Sequence, residues 1–377
     1  MRPTKAIVDL LRFKNNIKQL RSLLNPNTDL MVVVKANAYG HGALKMAEQA
    51  AKAGATWLGV ALPEEGAQLR ENGIELPILV LGDITPEQCK TTLQYNLTQA
   101  VPSIETARFL NDTAKQYGKE AKIHLKFDTG MGRIGFRTRD ELYFLVDELS
   151  SMRGIQLDGV FTHFATADEA DPAYTREQMK KMDSMLLVLE ESGIKVNWIH
   201  ASNSAGVFQF REANYNLVRC GISAYGYYPS LFVKDQAKIK LSPVLQWESR
   251  IAYTKVIRSG DTVSYGRAYT ANDNIKVATL PVGYADGYPR ILSNKSSVLV
   301  CGKRALVIGR VCMDQLMIDI TDIPDACVGS AVVLLGEQGS EQITADELAN
   351  LSGTISYEIL TSISNRVPRI YQEDSII

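Results

Sequence analysis

Eight short apolar runs, each followed by a stretch of helical character or by a polar loop, limit what this 377-residue chain can fold into. The runs are Leu30–Val34, Trp57–Ala61, Ile78–Gly82, Thr98–Val101, Ala121–Phe127, Gly159–His163, Asn197–Ala201 and Asn216–Cys220. They are too short for helices and end in loops, so they read as buried strands. Between them, apolar residues recur at helical spacing in Ala43–Ala53, Pro63–Glu71, Pro86–Tyr95, Ile104–Tyr117, Glu141–Leu149 and Thr175–Glu191. Eight such alternations predict a (β/α)8 TIM barrel over residues of about 10 to 235. From Leu241 the texture changes to short alternating runs broken by glycine and polar turns, as in Val277–Pro281, Ser297–Cys301, Arg304–Ile308, Leu316–Ile320 and Ala331–Leu335. The expected domains are a barrel over 1–240 and a smaller, mainly β domain over 241–377.

A formal net charge of -1 with no long run of one sign offers no electrostatic footprint for nucleic acid or an anionic membrane surface. No apolar run approaches membrane-spanning length, and Met1 to Ala6 lacks the apolar segment of a signal peptide. The five cysteines are scattered, without the close pairing of a zinc site, and read as reduced, mostly buried thiols. The expectation is a cytoplasmic protein that holds no metal.

In a barrel of this kind the chemistry sits where strands end. The first run ends in Lys35 and Tyr39, the fifth in Asp128 to Arg133, the sixth in His163, the seventh in His200, Asn203 and Ser204, and the eighth in Arg219 and Gly221. A lysine at a strand end is either a solvated terminus or a Schiff-base lysine, whose amine must fall from about 10.4 before it attacks a carbonyl. The run alone does not choose between them. Gly130-Met131-Gly132-Arg133-Ile134-Gly135 matches the dinucleotide fingerprint, but Thr138 and Glu141 have capping-box spacing, which starts the helix only after the glycines. The stretch reads instead as a loop that lets Arg133 reach inward. Ala201 to Gly206, with Asn203 and Ser204, and Cys220 to Ser223, with Gly221 and Ile222, offer hydroxyls and open amides after the seventh and eighth strands, where barrels often bind phosphate. A lysine facing a phosphate cradle suggests pyridoxal 5′-phosphate.

These motifs resemble those of the alanine racemases, fold-type III pyridoxal phosphate enzymes. The resemblance rests on Val33 to Gly42, Asp128 to Arg133, His200 to Ser204, Arg219 to Ile222, Ser264-Tyr265-Gly266 and Cys312 to Gln315. It implies a homodimer in which each active site is completed by the partner's β domain, with alanine as substrate and D-alanine for peptidoglycan as product. By the same resemblance Lys35 carries the cofactor, Tyr39, Ser204, Gly221, Ile222 and Tyr357 hold its phosphate, Arg219 faces the pyridine nitrogen and His163 lies beside the ring. Arg133 and the partner's Met313 bind substrate, Tyr284 and Tyr357 narrow the entrance, and Tyr265 from the partner is the second catalytic base opposite Lys35.

Racemisation removes a proton from one face of the α-carbon and delivers one to the other, which two differently placed groups do most simply. A fold-type III decarboxylase, a non-catalytic cofactor carrier and a racemase for serine or a broad set of amino acids are the alternatives; the first two fit the second domain less well. The period of two in Lys122 to Asp128 turns Lys126 into the barrel near Arg133, where a second buried cation is unfavourable. Since some members of the family carry a carbamylated lysine here, Lys126 is expected to be carbamylated.

Overall fold

The computed structural model describes residues 2–373, and the chain divides into two compact units, one of residues 13–38 and 43–242, the other of residues up to 12, 39–42 and 243 onward. Strand β1 (Lys5–Asp9) belongs to the second unit. The first unit holds β2 (Asp29–Val33), β3 (Trp57–Val60), β4 (Ile78–Val80), β5 (Thr98–Val101), β6 (Ala121–Lys126), β7 (Ile155–Phe161), β8 (Trp198–His200) and β9 (Leu217–Cys220). They form one parallel sheet in the order β8, β7, β6, β5, β4, β3, β2, β9. The seam between β8 and β9 is closed by Arg219 N donating to Ser202 O at 3.0 Å. The Asn216 side chain reinforces it, accepting from Ile199 N at 2.8 Å and donating to Asn197 O at 2.7 Å. This is the (β/α)8 barrel that the eight runs predict, and each run overlaps one of its strands.

Helices Ala43–Lys52, Pro63–Glu71, Pro86–Gln94, Ile104–Gln116, Arg139–Leu149 and Ala173–Glu191 fall in the predicted stretches. Their starts are written locally. Pro63 and Pro86 take first-turn positions, where a missing N–H costs nothing. Thr138 Oγ1 accepts from Glu141 N at 3.2 Å and Glu141 Oε2 accepts from Thr138 N at 3.2 Å, so the capping box begins the helix after Gly135. The glycine triplet therefore opens no helix. Gly135 instead lets the loop fold back on β6: Phe136 N donates to Lys126 O at 2.9 Å, and a Cβ at Gly135 would lie 2.6 Å from that oxygen. Helix Leu10–Arg21 is an addition to the sequence reading.

Strands β3, β4 and β5 are buried at every residue, as expected of a parallel sheet covered on both faces. Met31, Trp57, Leu79 and Leu217, joined by Leu81 and Trp198, pack together from β2, β3, β4, β8 and β9, and Trp57 meets Trp198 edge-on at 5.6 Å. Such a layer makes the barrel interior a packed core.

In the second unit the sheet runs Tyr253–Ile257, Ile275–Leu280, Leu316–Asp319, Lys303–Ile308, Ser297–Val300, Ala331–Gln338, Leu245–Arg250, β1, Arg369–Gln372. Its pairs are antiparallel except β1 with Arg369–Gln372. The mainly β character is as predicted, but the first strand of the chain, expected within 1–240 on the barrel side, hydrogen-bonds here. The cysteines correct another expectation: all five are free, yet only Cys89 and Cys220 are buried, while Cys301 and Cys327 are exposed. Cys301 and Gly302, at φ 50° and 73°, form the two-residue hairpin turn between Ser297–Val300 and Lys303–Ile308, which solvent reaches from outside. Among the described residues no helix is long and apolar enough to cross a membrane, and no cluster of side chains could hold a metal ion.

Candidate active site

Lys35 follows β2 directly, and the residues after it take a conformation that the sequence does not announce. Ala36, Asn37, Ala38 and Tyr39 have φ of 52°, 53°, 54° and 52°, a left-handed turn made without glycine. Each such residue costs about 1–2 kcal/mol, so the surroundings must hold it. Glu65 does much of this: its Oε1 accepts from Ala36 N at 2.7 Å, and its Oε2 accepts from Ala61 N at 2.7 Å. Asn37 Oδ1 accepts from Ala43 N at 2.9 Å, and Ala38 N donates to Val34 O at 2.8 Å. Strain of this kind collects at functional sites. Burial first, and the Arg133 charge second, push the Lys35 amine below its ordinary range, against an opposing effect of Glu65.

Arg219, in β9, is buried with neutral acceptors only. Nη1 donates to His200 Nδ1 at 2.9 Å and to His200 O at 3.1 Å; Nη2 donates to Thr162 O at 2.7 Å and Ala201 O at 2.9 Å. His163 Nδ1 stands 3.4 Å from Nη2. Four of the five N–H groups are thereby committed, leaving Nε–H for a further acceptor. Burial brings the group down to about 9, still protonated at neutral pH.

His163 gathers the site electrostatically. Burial, then Arg219, Arg133, Lys126 and Lys35 in that order, hold its imidazole neutral, well below the ordinary range. Lys126 is buried, as the period-two reading of β6 predicts, with Nζ donating to Phe127 O at 2.6 Å and lying 5.5 Å above the Phe161 ring. Burial first, and Arg219 next, lower it to about 7. Arg133 is exposed on the glycine-rich loop.

The two loops proposed for phosphate meet at one hydrogen bond, Gly221 N to Ser204 Oγ at 3.0 Å. Asn203 caps helix Ser204–Gln209 by accepting from Gly206 N at 3.0 Å, and a 3₁₀ turn spans Ile222–Tyr225. The opening N–H groups of both segments are those a helix cannot satisfy itself. The basic side chains Lys35, Arg133 and Arg219 and the remaining opening N–H groups of the two segments at the strand ends suit an anionic ligand with a phosphate, so the residues fit pyridoxal phosphate.

In the second unit Tyr265 and Met313 line one cleft with Ser264, Cys312, Asp314 and Gln315. They are 70% and 53% exposed. Tyr284 N donates to Cys312 O at 3.0 Å, and the Tyr39 and Tyr357 rings pack with centroids 6.0 Å apart.

Family models described as "Alanine racemase, N-terminal domain" and "Alanine racemase, C-terminal domain" match residues 8–229 and 244–371. The chain belongs to the alanine racemase family. An alanine racemase of Halothermothrix orenii is 47% identical over 371 residues, covering 98% of this chain and 97% of that protein. The solved alanine racemase of Clostridium difficile 630 superposes with a TM-score of 0.94 at 41% identity, covering 99% of this chain and 96% of that one. That of Bacillus anthracis with bound L-Ala-P gives 0.94 at 38% identity, with 100% and 97% covered.

Two contributors escaped the sequence reading. Glu65 is visible as an acidic first-turn residue of its helix, but its bond to Ala36 crosses 29 positions. His124 lies inside β6, and its contact is with His200, 76 residues away.

Proposed function

We propose that this enzyme interconverts L-alanine and D-alanine with pyridoxal 5′-phosphate on Lys35, as a cytoplasmic homodimer whose partner supplies Tyr265 and Met313, and that it provides D-alanine for peptidoglycan. What carries the reading is the placing at the barrel's strand ends of Lys35 directly after β2, Arg219 with His163 Nδ1 3.4 Å from its Nη2, and the two loops joined by Gly221 N and Ser204 Oγ at 3.0 Å. A buried amine, a buried guanidinium and such a pair of loops suit an aldehyde cofactor that carries a phosphate.

When bound, pyridoxal phosphate supplies the electron-withdrawing ring that acidifies the α-proton. The residues around it divide the remaining work. Ser204, Gly221, Ile222, Asn203, Tyr39 and Tyr357 bind the phosphate. Arg219, whose Nη1 and Nη2 are committed elsewhere, would face the pyridine nitrogen and, being able only to donate, would keep that nitrogen unprotonated. This weakens the ring as an electron sink and favours prompt reprotonation over transamination. Arg133 orients the substrate carboxylate by paired hydrogen bonds. Lys35 Nζ moves a proton on one face of the α-carbon and the partner's Tyr265 Oη on the other. A lysine acts at neutral pH only if its amine is lowered, and Lys35 is lowered by burial and by Arg133. Tyr284 and Tyr357 narrow the entrance to a small side chain. Lys126, buried beside other cations, reacts as a neutral amine with carbon dioxide, loses a proton and becomes a carbamate that orients Arg133.

Borohydride reduction of the yellow holoenzyme followed by peptide mapping tests the cofactor assignment, and α-proton exchange in D₂O over a panel of amino acids tests the substrate. Label on Lys35 and exchange fastest for alanine are expected. Label on another lysine, or no exchange, overturns the reading.

A further inference from the structure

Arg219 Nη1 donates to Nδ1 of His200 at 2.9 Å. A guanidinium only donates, so this nitrogen carries no proton and the neutral His200 ring holds its proton on Nε2. His200 Nε2 lies 2.9 Å from His124 Nδ1, which must accept, so His124 in turn carries its proton on Nε2. That nitrogen faces Asp158 Oδ2 at 3.7 Å. The separation exceeds a hydrogen bond, but a carboxylate there favours a proton on the facing nitrogen through its charge. Donation thus runs one way across the barrel, from a cation at one end to an anion at the other. Burial above all keeps both imidazoles neutral, as the tautomers require.

Two features put Asp158 where it stands, and a third seats His124 beside it. Between β6 and β7 the register slips, with Ile123 opposite Leu157 and His124 opposite Gly159, so Asp158 is the extra residue of a bulge. Bulges re-aim side chains. Asn197 Nδ2 donates to Asp158 Oδ1 at 2.7 Å and fixes the carboxylate. Gly159 lets the His124 ring lie against the backbone, since a Cβ there would come within 2.8 Å of ring atoms. Among the described residues no carboxylate is hydrogen-bonded to Arg219, and the one reached along this chain of contacts is Asp158.

We propose that Asp158 is a positioning residue for Arg219: acting through His124 and His200, it fixes His200 as the acceptor of Nη1 and so keeps Nε–H turned to the cofactor ring. The consequence for the cofactor rests on the function proposed above, whereas the direction of donation does not.

The test is ¹⁵N NMR of histidine-labelled apoprotein, which has only four histidines, with pyridoxal phosphate then titrated into the same samples. Wild type should show His124 and His200 as Nε2–H tautomers throughout the neutral range. Asp158→Asn, similar in shape but without the charge, should mix the His124 tautomers and weaken pyridoxal phosphate binding about tenfold, the loss typical when a group that fixes a ligand's tautomer is removed. The proposal requires both changes. If Asp158→Asn moves only the urea midpoint, or changes one readout without the other, the relay is overturned. A proton on Nδ1 of either ring in wild type overturns it without any variant, even if Asp158→Asn does not fold. Wild type that binds no pyridoxal phosphate overturns the cofactor reading instead, while the tautomers still judge the chain of donors.

Discussion

Glu65 and Ala36 are joined by a 2.7 Å hydrogen bond from the Ala36 amide to the Glu65 carboxylate, one residue beyond Lys35. Because the same carboxylate accepts from Ala61 N and opposes the lowering of the Lys35 amine, Glu65→Ala should act twice. Loss of charged acceptors from a strained turn should destabilise the protein by about 2 kcal/mol in urea unfolding. In apoprotein, the pH midpoint for acylation of Lys35 should also move down, because the group that raises it is gone. An unchanged midpoint would show that Glu65 does not act on the amine.

Tyr265, exposed in the cleft it shares with Met313, is expected to serve the lysine of a second subunit. Lys35→Ala and Tyr265→Ala should each be nearly inactive, and mixing them should restore part of the activity because a heterodimer gains one intact site. Lys35 should abstract the α-proton of the D enantiomer and Tyr265 that of the L enantiomer. No recovery after verified subunit exchange would sink the shared site.

At about 7, the Lys126 amine is available in neutral form for reaction with carbon dioxide. Protein equilibrated with ¹³C-bicarbonate should give a carbamate resonance that Lys126→Ala lacks. The variant should keep its cofactor spectrum, show a raised KM, and be partly rescued by a small added anion. A resonance missing from wild type, or unchanged in the variant, refutes the modification.

His124, His163 and His200 are all held neutral in the fold, chiefly by burial. Unfolded, each would protonate near pH 6.5. Below that pH the unfolded chain binds more protons than the folded one, so stability is full above about 6.5 and is lost as pH falls toward the depressed folded values. Urea midpoints should drop on mild acidification, and His200→Asn should make the drop shallower. A midpoint flat through this range would mean that these rings take up protons without unfolding.

The barrel was legible because each strand is a short run and each helix carries its own start, as Thr138 with Glu141 does. Lys126 was legible through the pleat alone. What the sequence hid depends on distant partners. Ala36 to Tyr39 has no residue that favours positive φ beyond Asn37, and only Glu65 and the flanking hydrogen bonds make the turn. The inward turn of Asp158 comes from a one-residue slip against β6, which shows only when both strands are in register. The site roles came from motif resemblance, since spacing alone left Lys35 open between two readings.

The placement of β1 has a consequence for how the protein is made. Lys5–Asp9 pairs with Leu245–Arg250 on one side and Arg369–Gln372 on the other. At about 5–20 residues per second, a ribosome adds the intervening chain in roughly 20 to 75 s. Until Leu245–Arg250 is made, about two thirds of the way through that time, the strand has neither neighbour, and its other edge stays open to pairing with another chain until Arg369–Gln372 follows. Five residues long and ending on Asp9, it is short enough to wait, and the sheet of the second unit is completed only once Arg369–Gln372 has been synthesised.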